Sequence, residues 1–124
     1  MTDAQNTIRS AALEWSGVTV HPHRFGGIEF RLGKRELGHI HGDSLLDIPF
    51  PTATRNELVH ARRVQPHHVL PESGWVSFYI RSENDIREAI LLLKMSYEIA
   101  QQHYAKKQQA PWLRAQGSGS IPSS

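Results

Sequence analysis

The spacing of the apolar residues changes from a helical period to a strand period and back, and few folds accommodate that order. Ile8, Ala11, Ala12 and Trp15 sit at i, i+3, i+4 and i+7, which predicts a helix over 3–16 with one apolar stripe. Gly17 can adopt the positive φ that ends it. From Val18 to Ile48 the period falls to two. Val18 and Val20 alternate with Thr19 and His21, and Ile28, Phe30 and Leu32 alternate with Glu29 and Arg31. Arg24-Phe25-Gly26-Gly27 is a turn between these runs, and Gly33-Lys34 is a two-residue hairpin loop. A third strand is predicted over Arg35 to His41, and a short fourth over Leu45 to Ile48, closed by Pro49 and Pro51.

Thr54-Arg55-Asn56-Glu57 has capping-box spacing and predicts a helix over 55–63. Val64 to Gly74 holds two prolines and reads as an ordered connection. Trp75 to Ile80 alternates as a strand. Ser82 to Asp85 again has capping spacing and opens a last helix over 83–104. Its buried stripe is Ile86, Ala89, Ile90, Leu93, Tyr97 and Ala100, widened by Leu92, Met95 and Ile99. The order implies an α+β fold: a single, mostly antiparallel sheet of 4–5 strands with helices packed on one face.

At 124 residues and 39% hydrophobic composition, one domain is expected over 1–105. Residues 106–124, ending in Gly-Ser-Gly-Ser-Ile-Pro-Ser-Ser, read as a flexible tail. No cysteine is present, which excludes a disulfide framework, a thiolate metal site and a cysteine nucleophile. No apolar run approaches the ~20 residues needed to span a bilayer, and the N-terminus lacks the regions of a signal peptide. A cytoplasmic protein without membrane contact is expected. The net charge of +2 makes nucleic acid an unexpected partner. The oligomeric state is open.

Strand alternation sorts the side chains onto two faces. Val18, Val20, Ile28, Phe30, Leu32, Val76, Phe78 and Ile80 face the helices, while Thr19, His21, His23, Glu29, Arg31, Trp75, Ser77 and Tyr79 face away. The third strand offers two parities. With Ile40 in the core, Arg35, His39 and His41 join the polar face; with Leu37 in the core, they turn inward. The first is favoured, because buried imidazoles each need a partner.

Seven of the eight histidines fall between His21 and His68. The pairs His21-Pro22-His23 and His39-Ile40-His41 place side chains about 7 Å apart on one face of a strand. That spacing would let His39 and His41 share a divalent metal, with Glu29, Asp43 or Asp47 as a third ligand. No third ligand is placed by sequence, so no bound metal or other cofactor is expected. His67-His68 lies in the connection, where an imidazole can act as acid or base or pin the loop. His60 and His103 read as surface residues. No Gly-x-Ser-x-Gly elbow, phosphate loop or dinucleotide fingerprint is present.

Gly33-Lys34-Arg35-Glu36-Leu37-Gly38-His39-Ile40-His41-Gly42, Pro66-His67-His68-Val69-Leu70-Pro71, Trp75-Val76-Ser77-Phe78-Tyr79-Ile80 and Ser96-Tyr97-Glu98 resemble the luciferase-like domain family. The namesake of that family is the domain of fungal luciferase, an oxygen-using enzyme acting on an aromatic pyrone. The resemblance implies a small-molecule-binding domain and an oxygen-dependent oxidoreductase acting on an aromatic substrate, independent of metal and flavin. The fungal enzyme carries an N-terminal membrane segment that has no counterpart here, so light emission is not expected. The candidate catalytic residues are His39, His41, His67 and His68. The candidate ligand-binding residues are Glu29, Arg31, Arg35, Trp75 and Tyr79. The layout also resembles the small YjbR-like proteins, which implies the alternative of a non-catalytic binding or interaction module, with nucleic acid as one candidate partner.

Overall fold

A computed structural model describes residues 3–117, with side chains through Lys106. The order is α1 (Ala4–Leu13), β1 (Val18–Pro22), a 3-10 turn (Arg24–Gly26), β2 (Ile28–Leu32), β3 (Arg35–His41), β4 (Leu45–Pro49), α2 (Thr52–His60), β5 (Gln65–Pro66), β6 (Trp75–Tyr79) and α3 (Glu83–Gly117). The strands form one antiparallel sheet of six in the order β1-β2-β3-β4-β6-β5. The fold is α+β, as expected, with one or two strands more than the alternation implied. The extra one is β5, a two-residue edge ladder inside the segment read as a connection. Two residues carry too little pattern to read as a strand.

Both expected helix starts were tied to capping boxes. At α3 the capping half forms: the Asp85 amide donates to Ser82 Oγ at 3.2 Å, while Asp85 Oδ2 accepts from the amide of Arg81, one residue before the cap, at 2.8 Å. At α2 the helix begins earlier, after Pro51, whose carbonyl accepts the Arg55 amide at 2.8 Å. Pro51 stands at the N-cap with its ring-fixed φ of −55°, and no side chain caps the first turn. The last helix runs past 104 to Gly117, because Gln101 to Ala110 is rich in helix formers even where the apolar stripe has ended. It thereby continues beyond residue 106, where the tail was expected to begin; residues 118–124 of that tail lie outside the described residues.

The core lies between the sheet and the helices. Helix α3 crosses β2, β3 and β4, α1 packs on α3 and β1, and α2 packs on β6. Phe30, Ile40, Leu46, Ile48, Val76, Leu92 and Leu93 are fully buried there. Both Leu37 and Ile40 are fully buried, although strict alternation would put them on opposite faces. A β-bulge resolves this. Phe30 pairs with Gly38 but Arg31 pairs with Glu36, so Leu37 is the additional residue opposite the Phe30–Arg31 step. The Leu37 carbonyl, released from the regular ladder, accepts from Ser96 Oγ of α3 at 2.9 Å. The next residue, Tyr97, donates its hydroxyl to the Ser16 carbonyl at 2.7 Å, and its ring lies 5.4 Å from that of Trp15. The Ser-Tyr pair therefore sits mid-helix and ties α3 to β3 and to the end of α1.

Gly38 is where α3 comes closest to the sheet. A Cβ there would meet Leu93 Cδ1 at 3.1 Å and the Asp47 carbonyl at 2.9 Å, and the second contact is backbone that cannot swing aside. Leu93→Ala should lower the unfolding free energy by about 2–5 kcal/mol in urea titration. Gly38→Ala should cost about 1–3 kcal/mol despite adding a single methyl group. An unchanged midpoint in either variant would contradict the central placement of α3.

Candidate functional site

The strand register aligns one row of polar residues across the face turned away from the helices. His21 pairs with Glu29, Glu29 with His39, His39 with Asp47, Asp47 with Ser77, and Ser77 with Gln65. Directly paired residues share a face, so this row crosses all six strands. His41 is two residues along from His39, and Trp75 two residues from Ser77, so both join the same face.

Asp47 is the pivot of this face. Its residue is 0% exposed. Oδ1 accepts from the Ser77 hydroxyl at 2.7 Å. Around Oδ2 stand four imidazole nitrogens: Nε2 of His41 at 3.0 Å, of His68 at 3.1 Å, of His39 at 3.4 Å and of His67 at 3.5 Å. Burial alone would raise the Asp47 pKa, but hydrogen bonds from His39, Ser77 and His68 hold it well below the usual carboxylate range. For His39 burial works in the opposite direction, toward a lower pKa. The hydrogen bonds to Asp47 and Glu36 outweigh it and raise the imidazole to about 9. At His67 burial dominates and lowers the pKa, with Asp47 opposing and the neighbouring His68 and His39 reinforcing.

A second layer orients these rings. Glu36 Oε2 lies 2.5 Å from His39 Nδ1. The His23 ring stacks on His39 at 4.1 Å between centroids, and Glu29 holds His23 Nδ1 at 3.2 Å and Arg31 Nε at 2.5 Å. Burial pushes the Glu29 pKa up, but the hydrogen bonds of Arg31 and His23 bring it below its ordinary value. His67 Nδ1 accepts the amides of Val69 at 3.1 Å and Leu70 at 3.0 Å, which ties the loop to its own first imidazole. Arg55 of α2 donates to the Pro71 carbonyl and anchors the far end of that loop. The Trp75 indole closes one side, 5.3 Å from the His39 ring and 5.9 Å from His67. The result is an open pocket of about 290 Å³ lined by His39, His41, Asp47, His67, His68, Leu70 and Trp75.

The structure thus brings His39, His41, His67, His68 and Trp75 together. Glu29 and Arg31 share the face and stand one shell out, behind His23. Arg35 is not with them: it pairs with Leu32, on the side opposite His39, because the bulge at Leu37 reverses the parity of the strand before it. Glu36 takes the position expected for Arg35. Tyr79 shares the face through its pairing with Leu45, but it lines a separate cleft with Arg62, Arg63, Gln65 and Arg81, and the Arg81 guanidinium lies 5.3 Å from its ring centre. Asp47 was named by sequence only as one of three candidate third ligands. A carboxylate within the apolar run Leu45-Leu46-Asp47-Ile48 was the signal that could have raised it.

The sequence pattern of the Luciferase domain matches residues 34–96, half of the chain. The chain belongs to the Luciferase domain family. No curated protein and no solved structure matches it. The part matched to the Luciferase domain begins at the β2–β3 loop and ends at Ser96. It contains the whole pocket lining together with Glu36 and Ser77, whereas His23, Glu29 and Arg31 precede it.

The Luciferase domain should carry a pH signature of its centre. Folded His39 binds its proton more tightly than the unfolded chain does, since its pKa rises from 6.5 to about 9. Its contribution to stability is therefore complete below pH 6.5 and is lost as pH rises through about 9. In chelator-treated protein the melting midpoint should fall across that window. Glu36→Gln should flatten the fall by removing one of the two partners. A wild-type midpoint that is level from pH 6.5 to 9 would contradict the assignment.

Proposed function

We propose that this Luciferase-domain protein binds a small, planar molecule with an ionisable ring hydroxyl and that the pocket is the site of its oxygen-dependent oxidation. The observation that carries the reading is the pocket composition: an indole and a leucine beside four imidazoles, above a fully buried carboxylate. Trp75 offers a flat apolar wall for a ring, and Leu70 adds apolar surface from the loop. The polar side supports recognition of a ring oxygen. One carboxylate oxygen has two lone-pair sites, and Asp47 Oδ2 has four ring nitrogens around it. Imidazole hydrogen-bonding capacity therefore remains for a ligand oxygen in its phenolate or enolate form. Kinship with the domain of fungal luciferase, which acts with oxygen on an aromatic pyrone, supports oxidation as the reaction class.

Titration with an aryl-substituted hydroxypyrone, followed by calorimetry, tests the binding step. Trp75→Ala should weaken binding about tenfold or more, Trp75→Phe should retain most of it, and His68→Ala should weaken the hydroxypyrone more than its O-methyl ether. Oxygen uptake that tracks loss of the pyrone, without added flavin or nicotinamide, should accompany binding. Affinity indifferent to both Trp75→Ala and His68→Ala would place the ligand elsewhere and defeat the reading.

A further inference from the structure

We propose that the histidine centre is a site for one divalent transition-metal ion, held by Nε2 of His39, Nε2 of His41 and the Asp47 carboxylate. The inference deepens the reading of this pocket as the functional site and rests on it. By sequence no metal was expected, because no third ligand could be placed beside His39 and His41. The register supplies it, since Asp47 pairs directly with His39 across β3 and β4.

Three observations support the ion. The first is crowding. Four nitrogens stand 3.0–3.5 Å from one oxygen that can accept from about two. Donors sharing one ion at bonds of about 2.1 Å stand ~3.0–3.4 Å from their neighbours in a tetrahedral or octahedral shell. The spacings of Asp47 to His41, His68 and His39 are of that size, and the ligand atoms of His39, His41 and Asp47 all lie within 4.8 Å of one another.

The second observation is the outer layer. A metal-binding imidazole characteristically gives its other N–H to a carboxylate, which fixes the tautomer and the ring plane. Glu36 does this at His39 Nδ1, 2.5 Å away, leaving Nε2 turned to the centre. Ser77 similarly holds the outer oxygen of Asp47.

The third observation decides the number of ions. Asp47, His67 and His68 also group within 4.8 Å, which on distance alone would permit a second site. His67 Nδ1, however, accepts two backbone amides, so the proton of the neutral ring sits on Nε2. That nitrogen has no lone pair to give. The second group thus lacks a ligand, and the first, His39, His41 and Asp47, is the one that can close around an ion. Two imidazoles, one carboxylate and no thiolate suit iron(II), manganese(II), cobalt(II) or zinc(II), and the two-histidine, one-carboxylate set with open positions suits oxygen chemistry at iron(II). The open side is the pocket, beside Trp75 and Leu70.

The test uses the full chain, stripped with a chelator and titrated with cobalt(II), whose visible absorption reports imidazole and carboxylate ligation. One saturable equivalent per chain is expected. His39→Ala and His41→Ala should each weaken it by at least a hundredfold. Glu36→Gln, which keeps all ligands, should weaken it 10–100-fold. His21→Ala, on the outer strand with its ring on Thr19, should leave it unchanged. Circular dichroism verifies that each variant is folded. Absence of a saturable spectrum in folded wild-type protein, or a spectrum insensitive to His41→Ala and Glu36→Gln, overturns the metal site. Pyrone titration of the stripped protein separates the two readings: Trp75-dependent binding without any metal site overturns this inference alone, and loss of both overturns the pocket.

Discussion

The fully buried Asp47 carboxylate is the constraint around which the polar half of this domain is arranged. An ionised carboxylate taken out of water without partners costs several kcal/mol, and a group so placed would otherwise take up a proton. Here every neighbouring element sends it a donor. Strand β6 supplies Ser77, β3 supplies His39 and His41, and the loop before β6 supplies His67 and His68. Removing the carboxylate would leave imidazoles crowded together without a counter-charge. Removing the imidazoles would leave a buried anion with one hydroxyl. Neither half is stable in this geometry alone, which is why residues from three chain segments converge on a single carboxylate.

The bulge at Leu37 is what allows that convergence to coexist with a close-packed core. Without it, strand β3 could bury Leu37 or Ile40, but not both, and Glu36 would face away from His39. One additional residue puts both apolar side chains under α3 and both polar ones on the open face. The cost of the disrupted ladder is limited, because Ser96 takes the released carbonyl from the helix side. Gly38 completes the device by letting α3 approach β3 where any side chain would collide with the Asp47 backbone. Core packing and site geometry are therefore coupled at one point: a change that moves α3 off Gly38 also moves the strand that carries Asp47.

This coupling explains what could be read from the sequence and what could not. Two-residue alternation in Val18–Leu32 and Trp75–Ile80 assigned faces correctly, since those runs are regular. Ile40 as a core residue was right, and it carried His39 and His41 to the polar face. Arg35 failed because alternation cannot see an inserted residue, and the competing signal of Leu37 in the core was half of the answer. Tyr79 had the correct face but too large a lateral distance, since parity says nothing about position along a strand. Asp47 was the most informative residue and the least conspicuous, because its meaning depends on register with β3 and β6. Register is a long-range property that local spacing does not encode.

The site is built from two kinds of support, and this divides the labour within it. His39, His41, Asp47 and Trp75 stand on adjacent strands whose backbone is held by the ladder on both sides. His67, His68 and Leu70 come from a loop whose hold is local: two amides on His67, the His68 amide on Ser77 Oγ at 3.3 Å, and Arg55 at Pro71. Fewer buried apolar contacts hold this loop, and Val69 and Leu70 are exposed. Segments of that kind open at lower free energy than the sheet beneath them. The strand residues thus supply a fixed polar floor, and the loop supplies the part that can part from it. A ligand reaching the floor past Leu70 would need to displace only the loop with His67 and His68, leaving His39, His41 and Ser77 on Asp47 and the packing under Gly38 in place.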